Sequence, residues 1–310
     1  MAVSVMVTGG AGFLGGHVLD AVQKKHWNWK LTALDIQQPP NPRQGVEYRA
    51  TDLLCQDAIE DAVATVKPEV VIHCASLVPP LDKRFNRKMQ AELLSINVEA
   101  TKMLIQACKG NDVKAFVFTG SCSAVMDDLR FAYRNIDETY PLSFSSLTYG
   151  ESKALAEQLV LDANSSCFPT CVLRPSVLIG PGDYQIIPAL YACIGKGETP
   201  FMLGNGNNLW DVSYAPNVAD AHVLAVENLL STKTAAGEAF FIQNNEPITF
   251  RDLCLEVWKN FNHFPAFEIW IPSSMASFAG YVRCVFHGRA RLLVLHPCLT
   301  NIDRTSVFFF

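Results

Sequence analysis

A tyrosine and a lysine stand four residues apart in the stretch SLTYGESKALAEQLV, at Tyr149 and Lys153. If the stretch is helical, both side chains lie on one face and can act together. A free tyrosine has a pKa of about 10, so it is a weak base at neutral pH. An ammonium group about 4 Å away, at an effective dielectric constant of about 20, would favour the phenolate by roughly 4 kcal/mol, although burial opposes this effect. The pair predicts a general base with a lowered pKa; the alternative is a pair on an exposed helix face.

A glycine-rich stretch near the N-terminus, VTGGAGFLGG, is the second feature that suggests chemistry. It places Gly9, Gly12 and Gly15 in a GxxGxxG spacing between an apolar run and a helical pattern. Glycines allow a tight turn and let the backbone approach a pyrophosphate, while the N-terminus of the next helix supplies N–H groups and a positive dipole. The stretch therefore predicts a dinucleotide-binding turn.

An aspartate follows the glycine stretch at the distance expected for a ribose-binding acid. Asp35 ends the segment LTALD, 20 residues after Gly15. A carboxylate at the end of the second strand can bind both ribose hydroxyls of NAD, and it would repel the 2′-phosphate of NADP. The next residues, Ile36, Gln37 and Gln38, offer no cation to offset that repulsion. We therefore predict NAD as the cofactor; the alternative is a turn aspartate that merely ends a strand.

Two more polar residues follow predicted strands. Asp52, in the segment ATDLL, could contact the adenine amine, and a role as a helix N-cap is nearly as well supported. Ser121 follows the segment FVFTG, about where the nicotinamide of a bound dinucleotide is expected. These positions extend the predicted site from the adenine end to the reacting end of one cofactor.

The elements that must position these residues alternate between strand and helix through the first two thirds of the chain. This pattern predicts an α/β fold, a Rossmann-type doubly wound parallel sheet with a smaller C-terminal substrate cap. We assign residues 1–175 and 208–243 to the NAD-binding domain and residues 176–207 and 244–310 to the cap. The predicted strands are Val3–Val7, Leu31–Asp35, Val46–Arg49, Glu69–His73, Lys114–Thr119 and Thr170–Leu173, and the main predicted helices are Leu14–Lys25, one ending at Gly110 and one from Tyr149 to about Asn164.

Composition excludes several classes of protein. The chain has 310 residues, of which 49% are hydrophobic and 18% charged, which indicates a globular protein. A net charge of −5 argues against a nucleic-acid partner. Ten scattered cysteines without metal-like spacing indicate thiols in a reducing compartment. We expect no metal site, with His73 and His222 in core or capping roles, and no membrane-spanning segment.

Together these motifs resemble the extended branch of the short-chain dehydrogenase/reductase superfamily. The glycine motif, Ser121, the YxxxK of Tyr149 and Lys153, and Asn97 in INVEAT all match that pattern. The resemblance implies that Tyr149 is the acid/base and that Lys153 holds the nicotinamide ribose and lowers the tyrosine pKa. It further implies that Ser121 orients the substrate oxygen and that Asn97 supports a proton-relay water.

Several longer stretches are similar to the 3β-hydroxysteroid dehydrogenase group of this superfamily, and most similar to its decarboxylating sterol dehydrogenases. They are HCASLVPP, LRPSVLIGPGD, GNGNNLWDVSYAPNVADAHVLA and GEAFFIQNNEPITFRDL, and the similarity covers roughly residues 3–260. The implied cofactor contacts are Gly9, Gly12, Phe13, Leu14, Gly15, Asp35, Asp52, Leu53, Ala75, Ser76, Tyr149, Lys153 and Pro175.

One triplet narrows the substrate class. Nucleotide-sugar enzymes of this branch usually carry an arginine before the aspartate of a late RDF element, whereas this chain has Leu209, Trp210 and Asp211. A tryptophan cannot neutralise a phosphate, but it can line a pocket for a flat apolar skeleton. We therefore predict a substrate pocket with Ser121 and Trp210; the alternative is that Trp210 simply packs under the cap.

The resemblance implies NAD-dependent oxidation of a sterol or triterpenoid 3β-hydroxyl to the ketone, with loss of CO₂ where C4 carries a carboxylate. One alternative is a NAD(P)H-dependent ketone reductase of secondary metabolism, against which Asp35 argues because such reductases mostly use NADPH. Another is a non-catalytic nucleotide-sensing protein on the same fold. The intact set of Ser121, Tyr149 and Lys153 argues against that second alternative.

Expectations about location and assembly follow from the implied substrate. We expect a cytoplasmic enzyme, peripheral on the endoplasmic reticulum membrane, that forms a homodimer. The stretch Ser277–Leu295 mixes apolar and basic residues and could rest on a membrane, while a place in the cap core is at least as well supported. The chain ends at IDRTSVFFF, where the family normally continues, so we expect a shortened C-terminus.

Overall fold

A computed structural model describes residues 2–80, 84, 87–128, 133–144, 147–272 and 274–275. Its main body is a sheet of seven parallel strands in the order β11-β6-β5-β4-β1-β2-β3. The strands are β1 (Ser4–Thr8), β2 (Lys30–Asp35), β3 (Val46–Ala50), β4 (Val70–His73), β5 (Ala115–Thr119), β6 (Thr170–Pro175) and β11 (Ala239–Ile242). The predicted fold class, a doubly wound α/β fold, is confirmed.

Helices cover both faces of this sheet, because its central strands are apolar on both sides. On one face α1 (Phe13–Lys25) packs with α7 (Ala215–Leu230). On the other face lie α2 (Gln56–Val66), α4 (Ala100–Gly110) and α5 (Thr148–Asp162). The strand order reverses between β1 and β4, which is the position where such sheets open a crevice at the carboxyl ends of their strands.

The helix that enters α4 is irregular in its middle. A short α3 (Gln90–Leu93) continues into a π-helical segment, Leu94–Glu99, before α4 begins. π-Helical turns are uncommon and are often found at functional sites. This segment contains Asn97, one of the residues that the sequence places in the site.

Within the described residues, the cap contains two helices and three two-stranded sheets. Its elements are β7 (Val177–Ile179), α6 (Ile186–Lys196), β8 (Phe201–Leu203), β9 (Leu209–Trp210), β10 (Val212–Tyr214), β12 (Ile248–Thr249), α8 (Phe250–Asn260) and β13 (Ile269–Ile271). The pairs are β7 with β10, β9 with β12, and β8 with β13. Residues 209–214, assigned from the sequence to the NAD-binding domain, therefore pair with cap strands, whereas α7 and β11 join the large sheet.

Candidate active site

A cavity of about 650 Å³ opens at the carboxyl ends of the central strands. Its wall runs from Asp35 and Asp52 at one end to Ser121, Tyr149 and Lys153 at the other, and it continues under α6 of the cap. All thirteen predicted cofactor contacts line this cavity, and so does Ser121. Two of the predicted site residues, Asn97 and Trp210, are not part of its described wall.

The glycine turn between β1 and α1 is built so tightly that side chains would not fit. Gly9 has a φ of +70°, and a β-carbon there would lie 2.8 Å from the Ala75 Cα. A β-carbon on Gly15 would lie 2.1 Å from the Gly9 carbonyl oxygen. Gly12 is the N-cap of α1 and has no side chain to cap the first-turn N–H groups. These N–H groups and the bare backbone fit the pyrophosphate of NAD.

Asp35 lies at the end of β2, against the glycine turn. One carboxylate oxygen accepts a hydrogen bond from the Ala11 N–H at 3.0 Å, and the other accepts one from the Ile36 N–H at 2.8 Å. Each oxygen keeps a lone pair for a further donor. The cation that NADP recognition needs is absent here, since the only basic residues in the described cavity wall are Arg84 and Lys153.

Asp52 closes a turn ahead of α2 rather than capping that helix. Its carboxylate accepts the Leu54 N–H at 2.9 Å, while the N-cap position belongs to Cys55. The predicted alternative of a helix N-cap is therefore wrong in detail. Asp52 and its neighbour Leu53 both face the cavity, near Asp35.

Tyr149 lies in the first turn of α5 and is almost fully buried. Burial raises the pKa of its phenol to about 12, and the Arg84 cation and a hydrogen bond from Ser121 act against that rise. We expected Lys153 to lower the pKa below its ordinary value. That expectation is wrong for this structure, because burial has the larger effect and the nearby cation is Arg84.

Lys153 lies one helical turn further along α5, and its ammonium group is turned toward β5. Its Nζ donates to the Thr119 carbonyl oxygen at 2.9 Å and lies 4.9 Å from the centre of the Phe118 ring. Burial lowers the pKa of Lys153 to about 8, while Cys74 and Glu157 act to raise it. The ammonium group is thus held at the cavity wall by one backbone oxygen.

Ser121 belongs to a pair of hydroxyl groups in the turn after β5. Its Oγ lies 2.8 Å from the Oγ of Ser123, and it also accepts the Ser123 N–H at 3.2 Å. Helix α5 approaches this turn so closely that a β-carbon on Gly150 would lie 2.5 Å from the Ser123 carbonyl oxygen. Sequence reasoning missed Ser123. Its position two residues after Ser121, in a predicted turn, could have indicated that the two hydroxyl groups are in contact.

Asn97 acts on the site through its neighbours. Its side-chain oxygen accepts the Leu77 N–H at 2.7 Å and the Ser76 hydroxyl at 3.0 Å. Its amide donates to the Leu77 carbonyl oxygen at 3.1 Å and to the Ser152 hydroxyl at 3.0 Å. Ser152 in turn donates to the Tyr149 carbonyl oxygen at 2.8 Å. These bonds make Asn97 a positioning residue that joins the loop after β4 to α5.

Arg84 is a second residue that sequence reasoning missed. Its guanidinium carbon lies 5.6 Å from the centre of the Tyr149 ring, and one NH2 nitrogen donates to the Gln185 side-chain oxygen at 2.8 Å. Longer bonds of 3.4 Å reach the Pro79 carbonyl oxygen. Arg84 thereby joins the loop after β4 to the start of α6. No motif surrounds it, so the sequence carries no signal for this position.

Trp210 was predicted in the substrate pocket, and the structure corrects this prediction. The side chain is only 1% exposed and packs against Phe250, with the two rings tilted by 34° and their centres 4.5 Å apart. Its neighbours are core residues of the cap, such as Ile186 and Leu253. Trp210 therefore packs within the cap, which is the alternative that its apolar character also allowed.

The two buried histidines form hydrogen bonds inside the core. His73 lies 2.6 Å from the Thr8 hydroxyl and 2.9 Å from the Thr101 hydroxyl. His222 lies 2.8 Å from the Thr119 hydroxyl and 2.8 Å from the Val218 carbonyl oxygen. Burial lowers the pKa of His73 to about 3 and that of His222 to about 4, so both are neutral at neutral pH.

Comparison with known sequences gives one consistent result. The family model described as the 3-beta hydroxysteroid dehydrogenase/isomerase family matches residues 6–272. The chain is 35% identical over 294 residues to a decarboxylating sterol-4-alpha-carboxylate 3-dehydrogenase of Saccharomyces cerevisiae, covering 90% of this chain and 81% of the relative. The mouse protein of the same name is 33% identical over 280 residues, covering 89% of this chain and 73% of the relative.

Solved structures show the same fold at low sequence identity. A UDP-glucose 4-epimerase from Thermotoga maritima aligns with a TM-score of 0.73 and 19% identity, covering 99% of this chain and 90% of the other. The Bordetella bronchiseptica enzyme WbmH, in complex with NAD⁺, aligns with a TM-score of 0.71 and 14% identity, covering 87% of this chain and 86% of the other.

Proposed function

Because the chain belongs to the 3-beta hydroxysteroid dehydrogenase/isomerase family, we propose that it oxidises the 3β-hydroxyl of a sterol-like alcohol with NAD, and that the product loses a C4 carboxylate as CO₂. The observation that carries this function is the continuity of this cavity. It joins the glycine turn and Asp35 to Ser121, Tyr149 and Lys153, so a dinucleotide and an alcohol can meet at one place.

The oxidation needs a base for the hydroxyl proton and an acceptor for the hydride. When bound, NAD accepts the hydride from C3. The Tyr149 phenolate takes the hydroxyl proton, and the Ser121 hydroxyl orients the same oxygen through its link to the phenol. We assign Lys153 to the nicotinamide ribose, because its ammonium group lies in the cavity wall and donates to the Thr119 carbonyl oxygen just before Ser121.

The second step follows from the first without a further oxidant. A ketone at C3 turns a C4 carboxylate into a β-keto acid. The bond between C4 and the carboxylate carbon then breaks, CO₂ leaves, and the electron pair moves onto the ketone oxygen. Tyr149 now carries a proton and faces that oxygen, so it can stabilise the enolate by donating a hydrogen bond. Protonation at C4 completes the reaction.

The remaining wall of the cavity suits an apolar skeleton. The segments that flank the catalytic residues and the cap supply mainly hydrocarbon side chains to it. These include Val78, Met126, Leu147, Leu178 and Ile186. A mostly apolar pocket with a few placed polar groups is the usual form of a small-molecule site.

Product analysis tests the proposed function. The protein is incubated with NAD and a 3β-hydroxysterol that carries a 4α-carboxylate, and the products are followed by NADH absorbance and mass spectrometry. We expect a 3-ketone that has lost two hydrogens and CO₂. The same sterol without the carboxylate separates oxidation from CO₂ loss. Absence of NADH, or faster conversion of the ketone with NADPH than of the alcohol with NAD, would contradict the proposal.

Cofactor choice provides a prediction on Asp35. The native protein is expected to use NAD at least about 100-fold better than NADP in kcat/KM, because the carboxylate accepts ribose hydroxyls and repels a phosphate. Asp35→Ser is expected to lower kcat/KM for NAD by about 10-fold or more and to bring the two cofactors close together. Steady-state rates with both cofactors measure this ratio.

Asp52→Asn is the matched control for this prediction. It also removes an acid from the cavity wall, but it keeps the oxygen that accepts the Leu54 N–H. The NAD-to-NADP ratio of this variant should stay within about threefold of the native ratio, which is the spread expected for changes that touch no phosphate contact. If the NAD-to-NADP ratio shifted equally in Asp35→Ser and Asp52→Asn, Asp35 would not be the residue that determines the choice of cofactor.

We also propose that the enzyme meets its substrate at the cytoplasmic surface of the endoplasmic reticulum as a peripheral homodimer. The apolar nature of sterols supports this location. Among the described residues no helix is long and apolar enough to cross a membrane, and the stretch Ser277–Leu295 lies outside the described residues. We expect co-sedimentation with liposomes that weakens at high salt, and recovery in the supernatant at low salt would contradict it.

A further inference from the structure

Two cations belong to the described wall of the cavity, and only one of them has a clear part in the dehydrogenation. Lys153 serves the nicotinamide end and donates to the Thr119 carbonyl oxygen. Arg84 lies on the other side of Tyr149, next to the cap. A positive charge in a mostly apolar chamber is costly to bury, so its role requires an explanation.

The partners of Arg84 in the described structure are neutral. They are the Gln185 side-chain oxygen at 2.8 Å and the Pro79 carbonyl oxygen at 3.4 Å. None of the ion pairs formed by described residues includes Arg84. A guanidinium has five N–H donors in a planar fork, which exceeds what these two oxygens accept. Burial lowers the Arg84 pKa, because the charged guanidinium is less stable in the cavity wall than in water.

The acids in the cavity wall do not compensate for this charge. Asp35 and Asp52 lie at the adenosine end, near the glycine turn. Asp183 lies closer to the cap, but its oxygens accept the backbone N–H groups at the start of α6, from Gln185 at 2.7 Å and Ile187 at 2.9 Å. A ligand anion would therefore find Arg84 with unused donors and little competition.

We propose that Arg84 binds the carboxylate on C4 of the substrate and so makes the enzyme selective for carboxylated sterols. This inference rests on the proposed function. C3 and C4 are bonded neighbours, so an anion on C4 must lie close to the oxygen that Tyr149 deprotonates. The guanidinium beside the Tyr149 ring is a cation near that position, and its planar fork matches a carboxylate.

Arg84 acts here in substrate selection and not in the release of CO₂. An ion pair with the carboxylate stabilises the ground state, and the negative charge leaves that group as the C4 bond breaks. The developing charge appears on the ketone oxygen, which faces Tyr149 and Ser121. The expected signature of Arg84 is therefore a preference for the anionic substrate in binding and in kcat/KM.

Two matched sterols test the proposal: a 3β-hydroxysterol with a 4α-carboxylate, and the same sterol with a neutral 4α-carboxamide of nearly equal shape. The native enzyme is expected to prefer the carboxylate by at least about 10- to 100-fold in kcat/KM with NAD. Arg84→Gln should reduce this preference to within about threefold of unity. Arg84→Lys should restore part of it, because it keeps the charge and loses the fork.

The ratio of the two substrates is the decisive quantity. The Arg84 cation also acts on the Tyr149 phenol, so its removal can slow both substrates together, and a purely structural defect would also affect both equally. Arg49→Gln removes an arginine of the exposed pair with Glu47, outside the cavity, and should leave the ratio unchanged. Circular dichroism shows whether each variant is folded. If Arg84→Gln does not fold, the ratio measured for Arg84→Lys provides the test.

Binding measurements separate this proposal from the proposed function. The affinities of both sterols for the NAD-loaded protein are measured by calorimetry for the native, Arg84→Gln and Arg84→Lys proteins. A preference for the carboxylate that depends on Arg84, without turnover, would contradict the dehydrogenase and support the anion site. The role of Arg84 in binding the carboxylate would be ruled out if Arg84→Gln kept the native preference for the carboxylate sterol, or if the native protein had no such preference. This holds whether or not the sterols are turned over.

Discussion

Tyr149→Phe is expected to lower kcat for sterol oxidation by about 1,000-fold, within the range of about 10² to 10⁴ that a positioned acid/base contributes. The substitution removes one oxygen from a side chain that is almost fully buried, so the packing of α5 against the turn after β5 should survive. NAD affinity should change little, because the glycine turn and Asp35 are untouched. Stopped-flow or steady-state NADH formation measures the loss.

The matched control is Tyr184→Phe, which removes the other phenol of the cavity wall. Tyr184 is well exposed, and its ring packs edge-on against Phe13 with 6.3 Å between the centres. This variant should retain kcat within about threefold, because its hydroxyl is not the predicted base. Equal losses in the two variants, or native activity in Tyr149→Phe, would rule out Tyr149 as the base.

The dependence of the rate on pH should show the same residue. A base acts only when it is deprotonated, and the Tyr149 pKa lies above neutral pH, so the native kcat/KM should rise with pH through the neutral range. The rise should end near pH 8, where Lys153 begins to lose the positive charge that we assign to binding the nicotinamide ribose. In Tyr149→Phe the rising limb should disappear.

Glu157→Gln is expected to lower the free energy of unfolding by about 3–5 kcal/mol, the usual cost of breaking a buried ion pair. Glu157 is 0% exposed and Arg174 is 4% exposed, and the Arg174 Nε donates to both carboxylate oxygens at 2.9 and 3.2 Å. The substitution leaves the arginine charge buried over the Phe241 ring without an anion. Chemical denaturation measures the change.

Two variants show whether burial is the cause of this loss. Glu47→Gln breaks an exposed pair with Arg49 and should cost less than about 1 kcal/mol. Replacing both Glu157 and Arg174 by methionine should recover most of the loss, since an apolar pair leaves no charge unpaired. A Glu157→Gln protein as stable as Glu47→Gln would show that the buried pair contributes little.

The same carboxylate connects stability to catalysis. Glu157 follows Lys153 by four residues on α5, and its negative charge raises the Lys153 pKa. Removing that charge lowers the Lys153 pKa further, so the ammonium group loses its proton at a lower pH. In Glu157→Gln, the pH at which kcat/KM stops rising should therefore be lower than in the native protein and closer to neutral.

Sequence reasoning identified residues of the cavity wall whose spacing along the chain is set by one local element. The glycine turn, Asp35 and the pair of Tyr149 and Lys153 each combine a residue type with a fixed distance along one strand, turn or helix. Such spacing survives folding because the element itself sets the geometry. The parallel sheet was predictable for the same reason, from apolar runs at regular intervals.

The missed features depend on contacts across the fold. Arg84 lies in a loop without a motif, and only the packing of that loop against the cap brings it to Tyr149. A tryptophan side chain suits both the wall of an apolar pocket and a packed core, so the sequence around Trp210 could not show which of these two places it occupies. The direction of the Tyr149 pKa shift depends on how deeply α5 is buried, which spacing along the helix does not record.

The π-helical segment Leu94–Glu99 has a structural consequence for the whole helix around it. A π-turn joins residues i and i+5 by a hydrogen bond, so it contains one residue more than an α-turn. The side chains that follow it are therefore rotated about the helix axis. Asn97 can then face the loop after β4 while Leu104 and Cys108, further along, still face the sheet core. One continuous helical rod thus contacts the loop after β4 through Asn97 and the sheet core through Leu104 and Cys108, with the irregular turn between them.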